Sequence, residues 1–187
     1  MKKLKIALVF ALFVAASTMA TQAQQDVQVF VPGNASGYFG SQADIVVPLV
    51  PAITVTGPGT ITVTYLNGTV SWGEQPDSGP NGVPYECKCG FFELPLQEAH
   101  GVAAKRVNNM AALIGTFVPA ARVNHSGFTA IDGTKGATRV GIKPNDLFFI
   151  GEGRTFKVGE AGTLFLGIND TGVRDNGGGF TVEVTGP

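Results

Sequence analysis

An all-β sandwich is the fold this chain predicts, and three observations carry the expectation. Short runs of β-branched and aromatic residues recur along it, each closed by glycine, proline or asparagine. The apolar fraction of 44% is ample for a core, while charged residues make up only 14%. Glycine (26) and proline (11) are abundant, and beside that apolar share they read as turns between strands, not as disorder.

The chain opens with a segment that predicts export. Lys2, Lys3 and Lys5 form a positive start, Ile6 to Ala16 is an unbroken apolar run, and Ala20-Thr21-Gln22-Ala23 offers small residues for cleavage. The run falls short of the about 20 residues a membrane span takes. Residues 1–23 are therefore expected to be a cleaved secretory signal of bacterial type, with the mature chain periplasmic or secreted. Residues 24–187 suit a single domain. Removing three lysines leaves 10 basic residues against 14 acidic, a net charge of −4. With no basic patch and no second apolar span, nucleic acid and membrane insertion are poor fits.

Val27, Val29 and Val31 alternate in a first strand that ends at Pro32, and residues 33–42 read as loop. Ile45-Val46-Val47 and Ile53-Thr54-Val55-Thr56 flank two prolines, which suits edge or connecting strands. After the Gly57-Pro58-Gly59 turn, Ile61, Val63 and Tyr65 alternate with Thr60, Thr62 and Thr64. Asn67-Gly68 then reads as a hairpin turn, with Thr69 to Trp72 pairing back. Residues 73–90 form a polar loop, and helix formers between Gln97 and Asn109 predict one short helix. Ala111 to Val118 returns to strand, and Ala120 to Lys143 reads as irregular. Leu147 to Ile150 and Thr155 to Val158 make two short strands around Gly151-Glu152-Gly153.

The closing stretch, Gly162 to Val184, is the most informative. Leu164, Leu166 and Ile168 share one face of a first arm, and Phe180, Val182 and Val184 share one face of a second, which reads as a β-hairpin. Its tip gathers Asp170, Asp175 and Asn176 beside Gly177-Gly178-Gly179. Hard oxygens on a short, bendable loop are what Ca²⁺ requires, at about 6–8 ligands. The same residues also make an ordinary polar turn, since Asn-Gly is a type I′ signal.

Pro58 to Gly73, Ala111-Ala112-Leu113-Ile114-Gly115, and the Gly162 to Asp170 run with Asp175 to Phe180 together resemble the bacterial calcium-dependent galactose-binding lectins of the PA-I type. The blocks follow the family's order and span most of the chain from Pro58 to Val184. The resemblance implies a jelly-roll sandwich of galactose-binding-domain-like form. It also implies one Ca²⁺ at one edge, with a sugar's vicinal hydroxyls completing the shell. Carried over by position, the ion's ligands are the backbone carbonyls of Trp72 and Gly172 with the side chains of Asp170, Asp175 and Asn176. Asp170 and Asn176 would touch the sugar, a galactose-containing glycan, Trp72 would stack on it or cap the core instead, and oligomerisation is compatible with such a lectin. Three features depart from the family: the turn between Asp170 and Asp175 is shorter, the family's sugar-contacting His and Gln are rewritten, and extra residues follow Ile114-Gly115. Gln97 and His100 have their spacing in reverse order and do not take over the role.

Cys87-Lys88-Cys89 admits a strained disulfide, two free thiols, or metal binding with His100. His125 reads as solvated. No Gly-x-Ser-x-Gly, His-Glu-x-x-His or phosphate-cradling loop occurs, and no spacing singles out a glycosidase pair among Glu93, Glu98, Glu152, Glu160 and Glu183. The chain reads as non-catalytic. The alternative to a lectin is a structural or adhesion module whose loop holds calcium for stability, or holds nothing.

Overall fold

The computed structural model describes residues 23–35, 49–73, 76–84, 109–123, 147–170 and 175–187. The export segment up to residue 22, the Ile45-Val46-Val47 strand, Cys87, Cys89, His100, His125 and Gly172 lie outside them. So does the predicted helix, apart from Asn109.

Ten strands and one helical turn follow in order: β1 (Gln25–Pro32), β2 (Val50–Val55), β3 (Gly59–Trp72), β4 (Val83–Pro84), β5 (Asn109–Met110), β6 (Leu113–Pro119), α1 (Ala120–Val123), β7 (Phe148–Phe149), β8 (Gly153–Val158), β9 (Gly162–Ile168) and β10 (Asn176–Gly186). They build two antiparallel four-stranded sheets, β1-β10-β3-β8 and β2-β9-β6-β7, with β4 and β5 paired apart. Leave out that small pair, count the other eight in chain order, and the sheets run 1-8-3-6 and 2-7-4-5. That is the jelly-roll order. The pairs β1·β10, β2·β9, β3·β8 and β6·β7 are the rungs of one long double strand folded back on itself.

The core lies between the sheets. Val29, Val31, Ile61, Val63, Phe180, Val182 and Val184 come from one layer, and Ile53, Val55, Leu113, Leu164, Leu166 and Ile168 from the other. Their period-two spacing puts one face of β1, β3 and β10 inside, with Val27 left exposed, whereas β9 is buried on both faces and only Thr163 is half-buried. No helix among the described residues is long and apolar enough to cross a membrane.

Three expectations are corrected. The two arms of the closing stretch do not pair with each other: β9 belongs to one sheet and β10 to the other. Their apolar faces meet across the core, and alternation looks the same for a hairpin and for two strands facing one another in different layers. Nor does Asn67-Gly68 reverse the chain. β3 runs on through it to Trp72 because β10 offers it one long partner. The irregularity is a bulge, in which Thr181 faces Asn67, Val182 faces Tyr65, and Leu66 is the extra residue. Gly68 takes φ 108°, and the Tyr65 hydroxyl donates to its carbonyl at 2.7 Å. Last, Ala120 to Val123 coils into a helical turn where irregular chain was expected, as Ala-Ala-Arg behind Pro119 favours. Pro51 sits on an edge strand, as its missing N–H requires.

Candidate functional site

The candidate residues lie at one pole of the sandwich, where β3 ends, β9 ends, β10 begins and β1 turns. In the β3·β10 ladder Asn176 stands opposite Trp72. Asp175 precedes it, and its carboxylate lies over Gly73: a Cβ built there would be 3.0 Å from Asp175 Oδ2. Two of the predicted ligand residues and the Trp72 carbonyl's own residue are thus brought together by strand register. The Trp72 ring is half-buried and packs against the core cluster.

Asp170 follows the end of β9 in the opposite sheet. It is 4% exposed, and its amide donates to the Ile168 carbonyl at 3.0 Å. Neighbouring Asn169 is buried and held on both its groups. Its backbone pairs with Ala111 and Ala112, and its Nδ2 donates to the Asn109 carbonyl at 2.8 Å. A polar chain continues from there, through Asn109 Nδ2 on the Asn81 carbonyl (2.7 Å) and Asn81 Nδ2 on Glu152 (3.1 Å).

The turn after β1 stitches the two sides together. Its Ala35 carbonyl accepts from the Ile168 amide, at the base of Asp170. Its Gly33 amide donates to Gly178 at 3.0 Å, and its Gly33 carbonyl accepts from Asn176 Nδ2 at 2.8 Å. Gly33 must be glycine, because a Cβ there would run into the Gly177 carbonyl. One turn therefore fixes both anchor points of the segment 171–174. Gly33 and Ala35 were not read as site residues, since backbone carbonyls leave no mark in a side-chain pattern. The Pro32-Gly33-Asn34 turn signature was the only hint.

Asn176 has a definite polarity. A carbonyl can only accept, so the side-chain nitrogen must be the atom facing Gly33. The oxygen is thereby turned the other way, and it is buried with no hydrogen-bond partner among the described residues. Leaving such an acceptor unsatisfied costs about 1–3 kcal/mol, so it is a group that a bound ligand would satisfy. Two carboxylates, an amide oxygen and strand-end carbonyls suit a hard cation that takes neutral and charged oxygens alike. Among the described residues no three His, Cys, Asp or Glu side chains gather as a metal-binding group. Glu152, Glu160 and Glu183 sit apart, in the turn before β8, in the bend after it and on β10.

No protein-family model matches the chain, and no curated protein matches it. A solved structure described as the N-terminal domain of EclA, a PllA-like lectin, is similar over 86% of this chain and 95% of its own, with a TM-score of 0.40 and 15% identity. At that level of likeness no ligand transfers.

Proposed function

We propose that this chain is an exported, calcium-dependent carbohydrate-binding protein of the PA-I type, non-catalytic and selective for galactose-like glycans. The observation that carries the reading is Asn176: its amide nitrogen is held by the Gly33 carbonyl, and its oxygen is buried with no partner among the described residues, beside Asp175 and opposite Trp72. Asp170 on the other sheet, Asp175, Asn176 and the carbonyls of Trp72 and Gly172 would hold the ion. Ca²⁺ bound there would polarise two neighbouring sugar hydroxyls, which as neutral oxygens can stand in for water in its shell. The chain's own part is to hold the donors in place. β3 and β10 fix Trp72 and Asn176 by register, and the turn after β1 ties Asn176 to the end of β9 that carries Asp170. The galactose preference rests on the resemblance of those sequence blocks to the PA-I lectins.

Calorimetry tests it. Galactose titrated into the protein should give heat with calcium present and none after chelation, and Asp170→Ala should lose both calcium and sugar binding. Calcium heat without sugar heat would reduce the site to a structural ion. No heat from either would sink the reading.

A further inference from the structure

β6 and β9 pair residue for residue until Leu113 meets Ile168, and there the regular ladder stops. One more step of the same register would set Ala112 alone against Asn169. Instead Ala111 and Ala112 face Asn169 together. The Ala111 amide donates to the Asn169 carbonyl at 3.0 Å, and the Asn169 amide donates to the Ala112 carbonyl at 2.9 Å. Two residues against one make a β-bulge, a feature that ends pairing or re-aims the chain beside functional residues. The first residue of such a bulge is left-handed and usually glycine. Here it is Ala111 at φ 59°, the one residue other than glycine with positive φ among those described. A Cβ makes that conformation costly, so it persists only where the surroundings impose it. They do so from both sides. Ala111 and Ala112 are fully buried, and the Leu113 amide that follows donates to the Pro80 carbonyl at 2.8 Å. Before the bulge, the Asn109 carbonyl accepts from Asn169 Nδ2, also at 2.8 Å. Three hydrogen bonds thus join Asn169 to the corner 109–112, and the next residue is Asp170.

We infer that Asn169 and the bulge it closes are positioning elements of the proposed calcium site, fixing the backbone from which Asp170 reaches the ion; this rests on the calcium-binding reading of the same pole. A regular ladder would carry Asp170 on as one more rung, opposite Ala111. The bulge stops the pairing one residue short of it, and the Asp170 amide turns back to the Ile168 carbonyl at 3.0 Å. Asn169 then has the part of a group outside a metal's own ligands, which sets their geometry and through it the affinity. Every bond of the corner is made within the chain, so it stands before any ion arrives.

Calcium titration by calorimetry, with amide exchange and urea unfolding in chelator, tests this. In chelator the amides of Ala111 and Asn169 should already exchange slowly. Asn169→Ala removes the bond to Asn109 and should weaken calcium binding about 10–100-fold, with an unchanged circular dichroism spectrum. Asn169→Asp is the sharper variant. By charge alone a second carboxylate beside Asp170 would strengthen calcium binding. Set against the Asn109 carbonyl it undoes the corner, and weaker binding is expected. If Asn169→Ala does not fold, Asn169→Ser, whose side chain is shorter and loses the amide donor, takes its place. Variants that unfold more easily in chelator yet bind calcium as tightly as wild type, or more tightly, would overturn the inference and leave the calcium reading intact. So would Ala111 and Asn169 amides that gain protection only when calcium is bound. Wild-type protein that binds no calcium would overturn that reading, and the inference with it.

Discussion

Under the proposed reading Asn176 has two separable jobs, because its nitrogen braces the Gly33 carbonyl and its oxygen, without a partner among the described residues, would serve the ion. Substitution can pull them apart. Asn176→Asp keeps acceptor oxygens but sets a carboxylate against the Gly33 carbonyl; without calcium it should destabilise by about 1–3 kcal/mol, and calcium binding should persist. Asn176→Ala removes the ligand oxygen and should weaken calcium binding at least about tenfold. Denaturation in chelator and calcium titration of both variants read the two jobs out; equal calcium affinity in wild type and Asn176→Ala would remove Asn176 from the site. The residue types at this pole were legible in the sequence, as carboxylates and an amide among glycines. What holds them was not, because the brace is made of main-chain carbonyls from a turn far away in the chain.

At the scale of strands, alternation told which face of β3 and β10 is buried and, Val27 apart, that of β1, while β9 is buried on both faces, which its alternation did not show. It could not tell which strand lies beside which. A period of two reports a face, not a partner, so the apolar arms on either side of Asp170 and Asn176 looked like a hairpin although they lie in opposite sheets. The Asn67-Gly68 pair misled for a related reason. The same backbone freedom that makes a tight turn also makes a bulge, and the long, uninterrupted β10 decides between them. Gly68→Ala tests the bulge: the new Cβ would meet the Gly179 carbonyl at φ 108°, and a loss of about 1–3 kcal/mol is expected in urea unfolding. A neutral result would show that β3 can straighten.

For the whole molecule, the proposed site would draw on both layers, with Asp170 following β9 of one sheet and Asp175 and Asn176 at the start of β10 in the other. An ion held there would tie the sheets to each other. At a hundredfold excess over its dissociation constant it should add about 2.7 kcal/mol, or a rise of about 5–10 °C in Tm for a domain of this size. Calorimetric scans with calcium and with chelator measure it; coincident curves would mean that no ion is gripped. The register of β1 has a mechanical consequence as well. Gln25 pairs with Gly186, so the outer ends of the first and last strands lie side by side, at the pole away from Gly33 and Asn176. Anything joined to either end leaves from the side opposite the Gly33–Asn176 pole. A load applied across those two ends would not slide the strands past one another. It would peel β1 from β10 rung by rung, breaking one pair at a time at low force, and the last rungs to open would be those beside the Gly33 turn.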